Sequence, residues 1–199
     1  LRDRNTVSGF YSQYPDQALV ALQLTDPNDM LNRNAYQKGS WVLHMLRRQV
    51  GDENFWAGIR EYYARYRDGS ALTKDLRLVM EEVSGQDLED FFHQWVFTPG
   101  HPKLEGQWSY DTSSGVLRLS ITQAQSTGTI FRFPLDLGIR SADGSSSFLE
   151  TVQIDQRTHT FTFPLTSPPA DLVLDPDTWL LFEGDVSKGS GQGLIGPDP

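Results

Sequence analysis

Residues 34–50 contain the side chains whose types and spacing best suit chemistry, because a tyrosine, a lysine and a histidine fall on one predicted helix. The apolar residues of this stretch recur at helical spacing, and Gly51 follows as a C-terminal stop. Tyr36 lies in the first turn, where a phenol can face a cleft. Residue type alone favours an ordinary half-buried tyrosine, so a chemical role for Tyr36 needs a wider pattern around it.

A wider pattern is present, because residues 36–39, Tyr-Gln-Lys-Gly, resemble the Tyr-x-Lys-Gly motif of the M1 family of zinc aminopeptidases, the gluzincins. Further similarity follows in the same order and extends to residue 182. The similar segments are 41–48, 55–63, 73–76, 84–95 and 99–102. The resemblance implies that the tyrosine hydroxyl stabilises the tetrahedral intermediate of peptide hydrolysis, and this catalytic role falls on Tyr36.

The metal site of the M1 family is His-Glu-x-x-His with a further glutamate downstream, a spacing that places two imidazoles on one helix face around zinc. No histidine of this chain begins that motif. The four histidines are His44, His93, His101 and His159. The resemblance therefore implies zinc as the cofactor of a longer parent protein whose ligands and general base lie upstream. We expect this chain to hold no stoichiometric zinc and to be inactive alone.

For Lys38 and His44 a structural role is a simpler interpretation than a chemical one. Lys38 is expected to be solvated or ion-paired, and His44 lies well around the helix from Tyr36, as a core or surface histidine would. Five acidic residues further on suit helix caps and solvated faces better than a cation site. They are Glu81, Glu82, Asp87, Glu89 and Asp90. The aromatic residues within 91–95 have helical spacing, which favours core packing over a ligand groove.

Three more helices are predicted before position 102, each with a capping residue, an apolar face and a glycine or proline stop. They run from Asp52, Thr73 and Asp87 to stops at Gly69, Gly85 and the proline-containing segment 98–102. The first 34 residues show little periodicity, and they predict an irregular lead-in with room for one short element.

Beyond Pro102 the apolar period changes from helical to alternating, which marks a domain boundary. Seven short strands are predicted there, and seven short strands suit a β-sandwich. The predicted strands are 104–110, 117–122, 131–140, 148–154, 160–165, 172–174 and 179–182. Residues 184–199 are rich in glycine, serine and proline and predict a linker or terminal arm.

These patterns and the resemblance together predict an α+β multidomain chain. Residues 1–101 are expected to form the helical end of a thermolysin-like catalytic domain, and residues 102–183 an all-β seven-stranded sandwich, with 184–199 as a tail. A catalytic domain cut upstream of the Tyr36 helix would expose apolar groups. We therefore expect the chain to self-associate or to cover that surface with its first 34 residues.

The composition limits the classes of partner. A net charge of -9 argues against nucleic acid, because phosphate binding needs clustered lysine and arginine. Cysteine is absent, which excludes disulfides and thiol catalysis, and no apolar run approaches the ~18 residues of a membrane span. These features leave the localisation open. Hydrophobic residues make up 38% of the chain and aromatic residues 12%, enough to build a core.

Two functions from different classes remain. The first is the C-terminal fragment of a zinc-dependent M1-type aminopeptidase that removes N-terminal residues from peptide substrates. The alternative is a non-catalytic M1-like scaffold or binding module that has lost a working metal site. An intact zinc motif in the upstream sequence of the parent would support the peptidase, and its loss would support the scaffold.

Overall fold

The computed structural model describes residues 2–20, 32, 34–141 and 147–189, and the chain divides into two compact units. Unit 1 spans Leu1–His101 and is helical, whereas unit 2 spans Pro102–Pro199 and contains the strands. Each unit has its own buried apolar side chains. Across the described ranges, no helix is both long enough and apolar enough to cross a membrane.

Unit 1 is built from α-helices and two single-turn π-helical segments. The α-helices in the described residues are α1 (Arg2–Gln13), α2 (Gly39–Val50), α3 (Asp52–Tyr66), α4 (Thr73–Ser84) and α5 (Glu89–Phe92). The π-helical segments are π1 (Asn34–Lys38) and π2 (His93–Phe97). π1 runs directly into α2, so the predicted helix over 34–50 begins with one wider turn. Single π turns of this kind often lie at functional sites.

Helix α2 packs its apolar stripe into the core of unit 1, as its helical spacing predicts. The buried residues of α2 are Trp41, Val42, Met45, Leu46 and Val50. Leu43, also an apolar residue of α2, is 39% exposed. Gly51 ends the helix at φ 83°, a conformation that favours glycine, and its N–H donates to the carbonyl of Arg47 at 2.9 Å.

Helix α1 corrects the prediction of an irregular lead-in with room for one short element, because Arg2–Gln13 form a 12-residue helix. Its buried apolar side chains are Val7, Phe10 and Tyr11, an i, i+3, i+4 stripe that was present in the sequence. The stripe is narrow, and it is interrupted by residues of low helix propensity such as Asn5 and Gly9. Burial of the stripe within unit 1 therefore stabilises α1 more than intrinsic propensity does.

All three predicted helix caps are off by one residue, and α3 begins at Asp52 itself, with Gly51 as its N-cap. Thr73 is the first helical residue of α4, and the Asp75 carboxylate accepts the N–H of Leu72 at 2.8 Å. Helix α5 begins at Glu89, whose N–H donates to the Asp87 carboxylate at 2.9 Å. Both carboxylates lie near the positive end of a helix, where they stabilise the unpaired N–H groups.

Unit 2 contains two sheets. Its strands in the described residues are β1 (Lys103–Asp111), β2 (Val116–Gln123), β3 (Phe133–Ser141), β4 (Ser147–Ile154), β5 (Thr158–Pro164), β6 (Pro169–Leu174) and β7 (Glu183–Lys188). One sheet has the order β5-β2-β1-β7, and the other has the order β4-β3-β6. β1 and β7 run parallel, and the other neighbouring strands run antiparallel.

The alternating pattern of the sequence corresponds to one buried face on the central strands. On β2 the buried apolar residues are Leu117, Leu119 and Ile121. On β3 they are Phe133, Leu135, Leu137 and Ile139. The strand predicted from Phe131 begins two residues later, because the Gln123 side chain accepts the N–H of Phe131 at 3.0 Å and donates to its carbonyl at 2.8 Å. The N–H and the carbonyl of Phe131 are therefore both bound to a side chain.

The predicted strand at 179–182 is wrong. The Asp175 carboxylate accepts the N–H groups of Trp179 and Leu180, each at 2.8 Å, and so removes the donors that a strand would use. Thr178 also has a positive φ of 62°, which extended backbone does not allow. Asp175 itself is 3% exposed, so this segment is a loop organised by a buried carboxylate.

The last strand lies beyond that loop, in residues that the sequence assigned mostly to the tail. β7 pairs with β1 in parallel register from Lys103↔Glu183 to Trp108↔Lys188. Gly184 has a φ of 122°, and a Cβ there would clash with the Leu104 carbonyl oxygen. Glycine at 184 is thus required by the close approach of two strands rather than typical of a linker. Residues 190–199 of the predicted tail lie outside the described residues.

Candidate functional site

The π1 turn presents Tyr36 outward and buries its own first and last residues, Asn34 and Lys38. The Tyr36 side chain is 61% exposed, whereas Asn34 is 1% exposed and Lys38 is fully buried. Asn32 precedes the turn and holds its start. Its side-chain oxygen accepts the N–H of Ala35 at 3.0 Å, and its carbonyl accepts the N–H of Tyr36 at 3.2 Å. The turn therefore has an inner polar side and an outer side that carries the phenol.

The inner side of the turn is centred on the Lys38 amine. Its Nζ donates to the Tyr11 hydroxyl at 3.0 Å, to the Gly100 carbonyl at 3.0 Å and to the Thr98 carbonyl at 3.3 Å. Three acceptors match the three donors of a lysine ammonium. Lys38 was expected to be solvated or ion-paired, and this expectation is wrong because backbone carbonyls and a phenol replace both water and a carboxylate.

The Tyr11 hydroxyl continues the network to the start of the same turn. It donates to the side-chain oxygen of Asn34 at 2.9 Å, and the Asn34 amide donates to the Ala18 carbonyl at 2.9 Å. The Lys38 amine also lies 5.1 Å from the centre of the Tyr11 ring, within the range of a cation–π contact. Both ends of π1 are therefore bound to one side chain of α1.

Burial sets the electrostatics of this network. It lowers the pKa of Lys38 from its ordinary value to about 7, because an ammonium loses its hydration in the core. Burial also raises the pKa of Tyr11 above its ordinary value, so Tyr11 stays a neutral phenol. The carbonyls of Thr98 and Gly100 favour the charged amine and oppose the effect of burial. The site thus contains a buried lysine amine whose described hydrogen-bond partners are all uncharged.

The acceptors for Lys38 come from the segment that ends the helical part of the chain. Thr98 and Gly100 flank a proline, and Gly100 has a φ of 83°. A proline and a left-handed glycine stop the helix, so the carbonyls near its end stay available to a side chain. His101 follows and is 3% exposed, with its ring 5.6 Å from that of Tyr11. No sequence pattern marks this segment as part of a site, since its role depends on contacts about 60 residues away along the chain.

The other candidate residues from the sequence have packing or ion-pair roles. His44 is half-buried, with its ring edge-on to Trp41 at 5.6 Å. Arg77 and Arg65 pair with Glu81 and Glu82, and Glu81 also accepts the N–H of Leu88. The aromatic residues Phe92 and Trp95 are 2% and 3% exposed, as expected for core packing.

The described residues do not fit a zinc ion. They contain no group of three or more histidine, cysteine, aspartate or glutamate side chains that could hold a metal. What the site does offer is an exposed hydroxyl donor on a turn that is bound firmly from beneath. A donor of this kind can stabilise an oxyanion if other groups supply the nucleophile.

Comparison with known proteins gives one family. A model of the peptidase family M1 domain matches residues 13–95. The chain is 40% identical over 77 residues to aminopeptidase N of Lactococcus lactis subsp. cremoris (strain MG1363), which covers 39% of this chain and 9% of that protein. It is 26% identical over 181 residues to aminopeptidase N of Streptomyces lividans, which covers 83% of this chain and 21% of that protein.

A solved structure has the same fold over most of the chain. Aminopeptidase A of Legionella pneumophila, in complex with aspartic acid, superposes with a TM-score of 0.70 at 18% sequence identity. The superposition covers 86% of this chain and 20% of that structure. The chain therefore spans a tenth to a fifth of the length of the relatives it matches. The resemblance noted in the sequence at residues 36–39 is confirmed at the level of the family.

Proposed function

We propose, because this chain belongs to peptidase family M1, that it is a C-terminal portion of an aminopeptidase that removes N-terminal residues from peptides. Tyr36 would be its contribution to the chemistry. The observation that carries the proposal is the exposure of the Tyr36 side chain on a turn whose neighbouring residues are buried and hydrogen-bonded.

The role proposed for Tyr36 follows from the chemistry of its side chain. A phenol keeps its proton at neutral pH and donates one hydrogen bond without carrying charge. When a peptide carbonyl becomes tetrahedral, its oxygen gains negative charge, and a fixed donor stabilises that oxygen more than it stabilises the ground state. Tyr36 would bind the oxyanion, and Lys38 and Asn34 beneath it would take no part in proton transfer.

Zinc chemistry is not assigned to the residues of this chain. M1 relatives are generally zinc enzymes, but the described residues supply no ligand set. Under this proposal the metal ligands and the general base lie in parts of the parent protein outside this chain. The helices of unit 1 would form the end of a thermolysin-like catalytic domain, and the two sheets of unit 2 would form the seven-stranded sandwich.

A second candidate is a non-catalytic M1-like scaffold or binding module. The lack of a metal ligand set among the described residues is compatible with this candidate, as it is with the first. The two candidates differ in what Tyr36 does. In a scaffold its hydroxyl has no oxyanion to bind, and only packing of the ring would matter.

Replacement of Tyr36 by phenylalanine in the full-length protein tests the proposal. Phenylalanine keeps the ring and removes only the donor. We expect kcat for peptide hydrolysis to fall about 10² to 10³-fold, roughly 3 to 4 kcal/mol, with KM and the thermal midpoint nearly unchanged. Tyr63→Phe is the matched control, because Tyr63 is a 66% exposed tyrosine of α3 in the same unit, and it should keep wild-type turnover. Wild-type turnover in Tyr36→Phe would reject the catalytic role.

A further inference from the structure

Three stretches of unit 1 that are distant in sequence meet at one atom. The Lys38 Nζ lies at the end of π1 and donates to Tyr11 of α1 and to the carbonyls of Thr98 and Gly100. These partners are 27, 60 and 62 residues away along the chain. A contact of this kind fixes the position of the turn relative to both of its neighbours, which sequence-local hydrogen bonds cannot do.

The geometry of π1 links that contact to Tyr36. The turn is five residues long, and its first and last residues, Asn34 and Lys38, are both bound to the Tyr11 hydroxyl. Tyr36 lies midway between them and is exposed on the other side. Any shift of either end would therefore change where the Tyr36 hydroxyl points.

We propose that Lys38 is a positioning residue for Tyr36, which acts by binding the underside of the π1 turn to Tyr11 and to the carbonyls of Thr98 and Gly100. This inference rests on the proposed function of Tyr36 and adds a second residue to it. Lys38 itself is fully buried and does not reach substrate. Its effect on chemistry would pass entirely through the placement of the phenol.

The chemistry of the site explains why a lysine suits this position. Burial of an ammonium is costly unless each of its protons has an acceptor, and here the three acceptors are present. An apolar residue of the same length would leave two buried carbonyls without this donor, and glutamine could not reach all three directions. If packing alone mattered at position 38, methionine would fill the same space with little consequence.

A double-mutant cycle in the full-length protein separates positioning from simple stability. Lys38→Met removes the three donors and keeps an unbranched side chain of similar length. We expect it to lower kcat about 10- to 100-fold with little change in KM, because small misplacements of a catalytic group have effects of that size. In the Tyr36→Phe background the same change should lower kcat by less than about twofold, since the donor it positions is already gone.

Two further variants provide a second test and a matched control. Tyr11→Phe removes the hydroxyl that joins Lys38 to Asn34, and it should lower kcat in the same direction by a smaller factor. Lys74→Met makes the same substitution at an exposed lysine of α4 and should leave kcat unchanged. If Lys38→Met lowers kcat by the same factor in both backgrounds, the effect is a loss of folded protein and the inference is wrong.

Amide hydrogen exchange in this chain tests, without an activity assay, whether Lys38 holds the π1 turn in place. The Tyr36 amide donates to the Asn32 carbonyl, so its hydrogen exchange reports opening of the π1 turn. Lys38→Met should raise the exchange rate of the Tyr36 amide about 10-fold or more relative to amides within α4. An equal rise in both segments would overturn the inference. Wild-type turnover in Tyr36→Phe would instead reject the proposed function, and the exchange result would still decide whether Lys38 holds the turn.

Discussion

The Nζ of Lys38 lies 3.0 Å from the hydroxyl oxygen of Tyr11, and neither group meets a carboxylate in its described hydrogen bonds. The tyrosine must accept from the lysine, because it donates its own proton to Asn34. A lysine in this pairing uses all three of its protons only while it is charged. The protonation state of Lys38 is therefore linked to the stability of unit 1.

The first prediction concerns the pH dependence of stability. In the folded chain the pKa of Lys38 is about 7, below its ordinary value of 10.5. Between these values the unfolded chain binds a proton that folded Lys38 has released, so the free energy of unfolding rises with pH by up to about 1.4 kcal/mol per unit. From pH 7 to pH 9 the stability of wild type should rise relative to Lys38→Met by about 2 kcal/mol.

Urea denaturation of both proteins at several pH values measures this difference. The comparison cancels the contributions of titratable groups that behave alike in the two proteins. It also stays below the range in which tyrosines of the unfolded chain ionise. A difference between the two proteins that is flat from pH 7 to pH 9 would show that folded Lys38 remains charged throughout.

The second prediction concerns the buried carboxylate of Asp175. Asp175→Ala removes the acceptor for the N–H groups of Trp179 and Leu180 and should lower the free energy of unfolding by about 2 to 4 kcal/mol. Asp177→Ala is the matched control, because Asp177 is an exposed aspartate of the same loop and should change stability by less than about 0.5 kcal/mol. Thermal or urea unfolding of the two variants distinguishes them, and equal losses would contradict a special role for Asp175.

The third prediction concerns the contact between β7 and β1. Gly184→Ala places a methyl group against the Leu104 carbonyl and forces alanine into a positive φ. We expect a loss of more than about 2 kcal/mol in the stability of unit 2. At Gly128 a Cβ would meet nothing within 4 Å, so Gly128→Ala should be nearly neutral. Amide exchange of β1 should rise in the first variant alone, and protection that matches wild type would disprove the close approach.

The fourth prediction is that Tyr36→Phe lowers kcat by the factor given above.

The fifth prediction is that the effects of Tyr36→Phe and Lys38→Met on kcat are coupled. Both act on the same turn, so their effects on kcat should not add. A plot of kcat for wild type, both single variants and the double variant shows the coupling directly. Additive losses would separate the two residues and leave Tyr36 to be judged on its own variant.

Local patterns in the sequence were enough to place most of the helices and strands. The spacing of Val42, Leu46 and Val50 and the stop at Gly51 gave helix α2, because those signals act within one or two turns. Alternation at Leu117, Leu119 and Ile121 gave β2 for the same reason. The motif that contains Tyr36 could be identified because it lies within four consecutive residues. The exposure of Tyr36 likewise depends on one short turn.

The errors arise where a side chain takes the backbone groups or the polar atoms of a segment. Asp175 changes 179–182 from strand to loop, and Tyr11 changes Lys38 from a surface cation to a buried one. The Asp175 hydrogen bonds span only four and five residues, but no repeat of apolar residues marks them. The hydrogen bond between Lys38 and Tyr11 crosses 27 residues and leaves no pattern in the sequence. Such contacts can be found only after the elements that carry them are placed.

The parallel pairing of β1 with β7 also sets the order of events during synthesis. β1 can pair with β2 as soon as the two have emerged, but its other edge waits for a partner that the ribosome makes about 70 residues later. At ordinary translation rates of about 5 to 20 residues per second this delay lasts on the order of several seconds. Throughout that time β1 offers unpaired N–H and C=O groups to other nascent chains. A chain cut at 183, the boundary predicted from the sequence, would keep that edge open permanently.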